Sequence, residues 1–566
     1  MKPFEDADMT YLSQLLADHA TSHPEATALR VKQSGIWQDI TWSAYHRAAQ
    51  QIAYGLHSLG IQAGDRVAIQ SENRPEWLYT DVACTMLRAV IVGFYPTNPV
   101  AEIQYLLKDS GASVLIAEDQ EQVDKALEVV DQIPTLKWVV YLNGRGLSDY
   151  DHPQLMSIDE LIDRGRTVEE TNAELLRTID ANRTPDDLAT LIYTSGTTGL
   201  PKGAMLSSKN IAFAAHVFSI EGGVLGERKL SANDALLSYL PLSHVVERCI
   251  SIWVNLTTRT VVHFAESIDT VTQDLAEVQP TLLFAVPRIW EKIQASVSIK
   301  IANASWVKRT LYRVSESWSR IIAQEMRQHG GLFSKKAQVL YSLGYFPMYR
   351  PLRKRLGLLH VRHAISGAAP ISPDVLSFFL GIGVPLYEAY GMTENSAVTT
   401  SNFVGRLKLG TVGEAQPFTE VRIDEHTGEI LTRSPANFIG YWNRPEATAE
   451  TLDADGWLHT GDVGEWVDGT HLRIIDRIKD IIITAGGKNV SPSKIENALK
   501  ASPYIKEAVV LGDGQPFLSA LIGIEFDTVA DWAARQSIEY TTYRDLSEKE
   551  AVVDFIAEIV RQVNER

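Results

Sequence analysis

Short apolar runs alternate with amphipathic stretches along most of the chain, and this pattern predicts alternating strands and helices. The clearest unit starts with a buried strand over 66–70 and continues with a helix from Asn73, whose apolar residues recur at helical spacing. A second strand over 91–95, a second helix over 102–109 and a third strand over 113–117 follow. Because βαβ connections pair their strands in parallel, the sequence predicts an α/β fold with parallel sheets flanked by helices.

The pattern changes near Gly469, where shorter elements surround a charged connector. The last part of the chain is predicted to hold a strand at 470–475, a helix at 494–500, and strands at 508–511 and 518–524. Elements of this size and order suit a small α+β domain. We therefore expect two domains, a large one over 1–478 and a small one over 479–566.

Composition and charge narrow the class of protein. At 566 residues the chain is too long for one hydrophobic core, and its contents of 45% apolar and 22% charged residues are ordinary for a folded protein. The net charge of −17 argues against nucleic acid as a partner, because phosphate binding requires a basic face. Cys84 and Cys249 stand far apart in apolar stretches and indicate neither a disulfide framework nor a zinc site. The start of the chain is acidic and no apolar window reaches the ~18 residues of a membrane span, so a cytoplasmic protein is expected.

The strongest local signal for chemistry is the segment TSGTTGLPKG, which runs from Thr194 to Gly203. It follows a buried apolar run over 188–193 and precedes a helix with serines at its start. Glycines, hydroxyl groups and an ammonium in such a loop can direct hydrogen-bond donors at a polyphosphate. The segment differs from the Walker pattern, since Pro201 precedes Lys202 and a glycine follows it. The alternative is a flexible surface turn, but a phosphate-binding loop explains these residue types better.

The same segment resembles the signature loop of the adenylate-forming superfamily, which includes acyl- and aryl-CoA synthetases, adenylation domains of peptide synthetases and beetle luciferases. Further motifs of that family stand in the expected order: LPLSH at 240–244, SGAAP at 366–370, YGMTE at 390–394, TGD at 460–462, DRIKD at 476–480 and GGK at 486–488. The resemblance covers nearly the whole chain. It implies a large N-terminal adenylate-forming domain of several subdomains, a small mobile C-terminal domain, and ATP-dependent activation of a carboxylate as an acyl-adenylate.

The resemblance also implies which residues hold the phosphates of ATP. They are the hydroxyls, glycines and ammonium of the loop: Thr194, Ser195, Gly196, Thr197, Thr198, Gly199 and Lys202. Thr393 is expected to contact the α-phosphate, and Thr197 and Glu394 to bind Mg²⁺, which prefers oxygen ligands. Lys202, His244, Thr393 and Glu394 are the expected catalytic residues, because electrostatic stabilisation dominates this kind of chemistry. The alternative for His244 is a buried histidine of the core.

A second set of residues is expected to hold the nucleoside, again by resemblance. Tyr390 would stack on the adenine, while Asp462 would accept hydrogen bonds from the ribose hydroxyls and Arg477 would donate to the ribose. The backbone at Gly367, Ala368 and Ala389 would line the base pocket, and Gly391 is expected to belong to the same nucleotide site.

Three longer blocks resemble long-chain acyl-CoA synthetases within the superfamily: LPLSHVVERCISI at 240–252, VPRIWEKI at 286–293 and DGWLHTGDVG at 455–464. They imply a ligase that joins a medium- or long-chain fatty acid to coenzyme A. No insertion of the kind found in fatty acyl-AMP ligases stands between Arg477 and Gly487. The alternatives are a ligase for another carboxylate, or an acyl-AMP-binding protein impaired in adenylation.

Helical patterns between about 290 and 356 are rich in basic residues and poor in acidic ones. The basic residues are Lys308, Arg309, Arg313, Arg320, Arg327, Lys335, Lys336, Arg350, Arg353, Lys354 and Arg355. They predict either a solvated helical face or a surface for anionic lipid or for the phosphates of CoA, and Trp306 and Trp318 favour such a surface. Peripheral contact with the inner face of a membrane is thus an expectation, and the sequence leaves a homodimer open.

The small domain carries two further expectations. Lys479 occupies the family's hinge position, and rotation about it would bring Gly487 to the pantetheine channel, where glycine permits close backbone approach. The family also keeps a lysine near the C-terminus that bridges the carboxylate and the α-phosphate, and no residue here matches it. Because an apolar helical pattern runs up to Arg566, an incomplete small domain is expected, with natural divergence as the alternative. Either would weaken adenylation.

Overall fold

The computed structural model of the protein describes residues 9–194, 199–302 and 304–565, without the side chains of 298, 299 and 302. Its strands are β1 (Thr27–Gln33), β2 (Ile36–Thr41), β3 (Arg66–Gln70), β4 (Val90–Phe94), β5 (Val114–Ala117), β6 (Trp138–Tyr141), β7 (Leu155–Ser157), β8 (Leu188–Thr194), β9 (Lys202–Ser207), β10 (Ala235–Ser238), β11 (Val261–Phe264), β12 (Leu282–Ala285), β13 (His363–Ser366), β14 (Leu386–Tyr390), β15 (Thr400–Ser401), β16 (Glu414–Ala415), β17 (Glu420–Ile423), β18 (Glu429–Arg433), β19 (Gly440–Tyr441), β20 (Leu458–Val467), β21 (His471–Arg477), β22 (Ile482–Ile483), β23 (Asn489–Val490), β24 (Ile505–Leu511) and β25 (Ser519–Ile524).

Its α-helices are α1 (Leu12–Ser22), α2 (Trp42–Ser58), α3 (Pro75–Leu87), α4 (Val100–Ser110), α5 (Gln120–Leu127), α6 (Ile158–Thr171), α7 (Leu175–Asp180), α8 (Ser208–Ser219), α9 (Val245–Arg248), α10 (Asn255–Thr258), α11 (Val271–Val278), α12 (Pro287–Ala302), α13 (Trp306–Gln328), α14 (Lys335–Gly344), α15 (Arg350–Arg355), α16 (Pro373–Gly381), α17 (Pro445–Thr451), α18 (Pro492–Lys500), α19 (Phe526–Arg535), α20 (Tyr543–Ser547) and α21 (Glu550–Asn564). Short 3₁₀ turns stand at Val130–Gln132 and Thr393–Asn395, and π-helical turns at Cys249–Val254 and Tyr345–Tyr349.

The first sheet has eight strands in the order β19-β9-β8-β4-β3-β5-β6-β7. The predicted βαβαβ unit is its centre, formed by β3, α3, β4, α4 and β5, and β3 pairs in parallel with both β4 and β5. Pro75 starts α3, because its missing N–H is one that the first helical turn leaves unpaired in any case. Gly111 ends α4 in the left-handed conformation, with φ of 62°.

The second sheet has nine strands in the order β16-β15-β14-β13-β12-β10-β11-β1-β2. Its middle is parallel, while β1 and β2 come from the N-terminal region and join its far edge, with Leu29 opposite Val262. Helices cover both large sheets, and their apolar side chains pack into two extended cores. The predicted α/β fold with parallel sheets flanked by helices is therefore confirmed. Cys84 and Cys249 are buried free thiols in it, and burial raises the pKa of both.

Two smaller units complete the molecule. An antiparallel sheet in the order β17-β18-β20-β21 contains the residues just before the predicted hinge. The last part of the chain, with β22 to β25 and α18 to α21, has a separate hydrophobic core around Leu499, Val529, Leu546 and Val552. This core agrees with the small α+β unit that the sequence predicts. The exact boundary at 478/479 stays a prediction.

The basic segment is helical, as predicted, and consists of α12 to α15. α13 lies against α14 and α16, and α12 packs against β12 of the nine-stranded sheet. None of the helices in the described ranges is both long enough and apolar enough to cross a membrane.

Candidate active site

The predicted nucleotide residues lie where two parallel strands of the nine-stranded sheet end. β13 and β14 are neighbours, so the loops that follow them meet at one edge, the place where open α/β sheets bind ligands. Gly367 and Ala368 follow β13, and Ala368 adopts a left-handed conformation with φ of 67°. Gly391 follows β14, and a Cβ at that position would lie 2.4 Å from the carbonyl carbon of Ala397. Only glycine fits this approach of two backbone segments.

Three of the predicted residues form a chain of polar contacts. Asp462 on β20 and Arg477 on β21 are cross-strand partners, and Arg477 Nε lies 3.2 Å from Asp462 Oδ1. The hydroxyl of Tyr390 donates a hydrogen bond to Asp462 Oδ2 at 2.6 Å. Burial raises the pKa of Asp462, while its contacts with Tyr390 and Arg477 act in the opposite direction. The Asp462 carboxylate is buried and the Arg477 side chain is 52% exposed. This series of polar contacts therefore leads from the interior to a surface that a ligand can reach.

Glu388 is a candidate residue that the sequence analysis misses. It lies two positions before Tyr390 on β14, so both side chains point to the same side of the sheet. Burial raises its pKa to about 8, and backbone hydrogen bonds from Gly410 and Ile371 only partly oppose this. Its Oε2 atom is buried and has no hydrogen-bond partner within the described residues. A neutral carboxyl group beside Tyr390 can both donate and accept, as the polar edge of a base requires.

Glu394 and Lys202 come together through Tyr441, a second residue that the sequence analysis misses. The Tyr441 hydroxyl donates a hydrogen bond of 2.6 Å to Glu394 Oε1 in a buried setting. Lys202 Nζ lies over the same ring, 5.1 Å from its centroid, within range for a cation–π contact. Burial and the nearby Glu394 carboxylate raise the pKa of Tyr441, so the hydroxyl keeps its proton. Thr393 is also buried and begins the 3₁₀ turn that holds Glu394.

The predicted phosphate loop joins the antiparallel strands β8 and β9. Thr194, the last residue of β8, is opposite Lys202, the first residue of β9. Gly199 has a φ of 133°, which side-chain-bearing residues rarely adopt. The hydroxyl of Tyr105 on α4 bonds the carbonyl of Pro201 at 2.8 Å and fixes the end of the loop. Four predicted residues of this loop lie outside the described residues: Ser195, Gly196, Thr197 and Thr198.

His244 caps the short helix α9. Its Nδ1 accepts a hydrogen bond from the backbone N–H of Val246 at 3.2 Å, and burial lowers its pKa, so the ring is neutral with its proton on Nε2. The loop before it is fixed by the amide of Asn73, which accepts from the Leu242 N–H at 3.1 Å. It is also fixed by the buried Glu247, whose pKa is raised to about 7 by burial. The structure thus holds His244 firmly, next to the cavity-lining Val246 rather than on the cavity wall.

A small apolar cavity lies beside these residues. The structure brings together on its wall five of the residues predicted for the nucleotide site: Gly367, Ala368, Ala389, Tyr390 and Gly391. Most of the remaining wall is apolar and was not predicted: Phe218, Val224, Val246, Phe284, Ile365 and Val398. These side chains come from α8, α9, β12, β13 and the loops around them, so they are far apart in the sequence.

The structure keeps Gly487 apart from the other predicted residues. It lies in an exposed turn of the small domain with φ of 75°, and nothing stands within 4 Å of where its Cβ would be. Its N–H bonds the carbonyl of Thr484 at 2.8 Å within the same turn. Proximity of Gly487 to the other site residues therefore remains a prediction that depends on rotation of the small domain.

The residues around Glu394 fit a magnesium ion. Within the described ranges no cluster of three or more His, Cys, Asp or Glu side chains exists, so a fully protein-ligated metal site is not found there. Glu394 instead offers one buried carboxylate, of which Oε1 is engaged by Tyr441. Mg²⁺ commonly takes one or two carboxylates and completes its shell with water and substrate phosphates, so a single glutamate beside a phosphate loop suffices.

Comparisons with known proteins agree with this arrangement. The AMP-binding enzyme family matches residues 16–442, and the AMP-binding enzyme C-terminal domain matches residues 479–566. A long-chain-fatty-acid–CoA ligase of Mycobacterium bovis, FadD15, is 35% identical over 570 residues, which is 99% of this chain and 90% of the relative. The long-chain-fatty-acid–CoA ligase ACSBG2 of Xenopus laevis is 32% identical over 542 residues, 93% of this chain and 72% of the relative.

Solved structures show the same fold. The anthranilate CoA ligase AuaEII in complex with anthranoyl-AMP aligns with a TM-score of 0.71 at 19% identity, covering 99% of this chain and 92% of that one. These findings confirm the resemblance drawn from the motifs and the prediction that the protein is an enzyme. The chain belongs to the AMP-binding enzyme family.

Proposed function

We propose that the protein is an ATP-dependent fatty acid:CoA ligase for medium- or long-chain acids. In the first step a carboxylate oxygen attacks the α-phosphorus of ATP, which forms acyl-AMP and releases pyrophosphate. In the second step the thiol of CoA loses its proton and attacks the acyl carbonyl, which forms the thioester and releases AMP. Two relatives named long-chain-fatty-acid–CoA ligases, each aligned over most of its length, support this choice of substrates.

One observation carries the proposal: the apolar cavity adjoins the polar chain of Tyr390, Asp462 and Arg477. Tyr390 belongs to both, since its ring lines the cavity and its hydroxyl bonds Asp462. A ligand with its nucleoside on the polar contacts would direct its apolar half towards Phe218, Phe284 and their neighbours. This is the shape of an acyl-adenylate, with one apolar and one polar half.

Lys202 and Glu394 are proposed to act on the phosphates. The Lys202 ammonium lies over the Tyr441 ring, a contact that leaves its N–H groups available for phosphate oxygens. The Tyr441 hydroxyl orients the Glu394 carboxylate. When Mg²⁺ is bound, it neutralises charge on the phosphates that separate in the first step. Thr393, at the start of the same turn, is proposed to donate its hydroxyl to a phosphate oxygen.

His244 is proposed to orient the carboxylate. Because its Nδ1 is engaged by the backbone of Val246, only Nε2–H is left to donate a hydrogen bond. A neutral donor suits a carboxylate that must stay nucleophilic, since a fully charged partner would hold its lone pairs more tightly. Gly487 is proposed to reach the pantetheine in the second step, after the small domain rotates about Lys479.

A substrate panel tests the proposal. The purified protein is incubated with ATP, Mg²⁺ and octanoate, palmitate, oleate, benzoate or cholate, and AMP release is measured with and without CoA. Pyrophosphate exchange into ATP reports the first step, and CoA-dependent consumption of supplied palmitoyl-AMP reports the second. We expect palmitate or oleate to exceed benzoate and cholate. Faster turnover of an aryl or steroid acid would overturn the choice of substrate, and ATP binding without either partial reaction would indicate a nucleotide-binding protein.

A further inference from the structure

The helices α13 and α14 expose apolar side chains to an unusual degree. Nine of the twenty-four large apolar side chains that stand exposed in the described chain fall between residues 306 and 346. The most exposed are Trp306, Leu343 and Phe346, at 72%, 60% and 75%. Single exposed apolar residues need no explanation, but a concentration of this kind marks a surface that another phase or molecule covers.

These side chains lie in rows on two neighbouring helices. Val307, Leu311 and Val314 recur at helical spacing along α13, and Val339 and Leu343 recur in the same way along α14. Phe346, in the π-helical turn after α14, extends the second row. The hydroxyl of Tyr349 in that turn bonds the carbonyl of Ser315 at 3.1 Å, so the turn lies directly beside α13. α13 also packs against α14, so the two rows lie on neighbouring helices. We call these exposed apolar residues and the helices that carry them the α13–α14 surface.

The same segment has a net positive charge, opposite in sign to that of the whole protein. From 306 to 355 the chain has eleven Lys and Arg residues against two acidic ones, whereas the whole chain has a net charge of −17. The two acids are already engaged, Glu316 with Arg320 and Glu325 with Lys336. Exposed cations therefore remain on the same segment as the apolar rows: Lys308, Arg309, Arg313, Lys335, Arg350, Lys354 and Arg355.

We propose that the α13–α14 surface binds a bilayer that contains anionic phospholipid, with the apolar rows in the interface and the cations on the headgroups. A face with Trp and Phe flanked by Lys and Arg is the arrangement that interfacial helices use. Each cation near an anionic surface adds roughly fivefold to the partition coefficient. The rest of this acidic protein is repelled by such a surface, so only one face can approach it.

Binding to a bilayer would suit a fatty acid substrate. Only this link to the substrate rests on the proposed function. α12 packs on β12, which carries the cavity residue Phe284, and α13 and α16 lie on the same side of that sheet. Long-chain acids reside in bilayers, since each buried methylene favours the apolar phase by a factor of roughly four. An enzyme bound through α13 and α14 therefore meets its acid where the acid is most concentrated.

Vesicle flotation of the full-length protein tests the proposal. Vesicles of phosphatidylcholine alone are compared with vesicles that contain phosphatidylglycerol at one third, at low and high salt. Two triple variants are compared with the wild type. The charge variant combines Lys308→Glu, Arg309→Glu and Arg313→Glu, and the apolar variant combines Trp306→Ser, Leu343→Ser and Phe346→Ser. The matched control reverses three exposed cations elsewhere: Arg145→Glu, Arg177→Glu and Lys229→Glu. Acyl-CoA formation from soluble octanoate is measured in parallel for every protein.

We expect salt-sensitive binding of the wild type to the anionic vesicles only, a loss of ~100-fold or more in the charge variant, and little change in the control. The apolar variant should bind weakly even at low salt. Wild-type protein that fails to float with anionic vesicles, or variants that float like the wild type, would overturn the proposal. The proposal would also be overturned by a dimer that the same variants dissociate, if no protein binds vesicles. A raised KM for CoA as the only defect of the charge variant would overturn it as well. Absence of octanoate turnover with intact vesicle binding would count against the ligase function alone.

Discussion

Replacing Tyr441 by phenylalanine should raise the concentration of Mg²⁺ that the protein needs to bind ATP. The change removes only the hydroxyl that donates to Glu394 at 2.6 Å, and it keeps the ring 5.1 Å from Lys202 Nζ. A hydrogen bond to a buried charged group is worth about 1.5–3 kcal/mol, and loss of a residue that orients a metal ligand typically weakens metal binding by 10- to 100-fold. We therefore expect the half-saturating Mg²⁺ concentration to rise by a factor in that range.

Calorimetric titration of ATP at a series of free Mg²⁺ concentrations measures this effect without requiring turnover. Tyr54→Phe is the matched control, because the Tyr54 hydroxyl is also in a buried tyrosine and donates to the carbonyl of Ala173 at 2.7 Å, far from the candidate site. Both variants lose one hydrogen bond and should lose thermal stability, with the larger loss in Tyr441→Phe because its acceptor is charged. An unchanged Mg²⁺ requirement in Tyr441→Phe, or an equal shift in both variants, would refute the role assigned to Glu394.

Three further predictions concern buried groups. The pKa of Glu388 is raised from 4.5 to about 8. The stability that its neutral form contributes is therefore complete below pH 4.5 and is lost as the pH rises through 8. Glu388→Gln should flatten the fall in melting temperature between these two pH values. Gly391→Ala should destabilise by about 1–3 kcal/mol, because its Cβ would overlap Ala397, whereas Gly486→Ala, with no atom closer than 4.0 Å, should not. Arg248→Met should cost about 3–5 kcal/mol in denaturant unfolding, since it leaves the buried Asp81 unpaired, and adding Asp81→Asn should recover part of that loss.

The sequence indicates the parts of the site that single motifs encode. The βαβαβ unit and the loop between Thr194 and Lys202 are local, so periodicity and residue type suffice to place them on strands and turns. The motif residues Tyr390, Asp462 and Arg477 are distant in sequence, yet their resemblance to family motifs places them together, and the structure joins them by polar contacts.

The residues that local patterns do not reveal are those placed by tertiary packing. Tyr441 sits in a two-residue strand, too short for any periodicity, and becomes important only because β19 pairs with β9 beside Glu394. In the sequence Glu388 is a single acidic residue in a mostly apolar strand. Its pKa is raised by burial, which results from the tertiary fold. The cavity walls from Phe218 and Phe284 belong to separate elements, so their proximity is a property of the assembled sheets.

The order of strands in the two large sheets bears on how the chain folds as it is synthesised. β1 joins its sheet only when β11 arrives, with Leu29 opposite Val262, and the edge of the other sheet at β9 is covered by β19 at residues 440 and 441. Before β11 emerges from the ribosome β1 lacks its partner, and before β19 emerges β9 has an open edge that can pair with other chains. Nascent chains shorter than about 440 residues should therefore depend on chaperones, and pairing over such distances makes for slow folding. The strand that carries Tyr441 thus covers the edge of β9 and brings a hydrogen-bond donor to Glu394 in the same step.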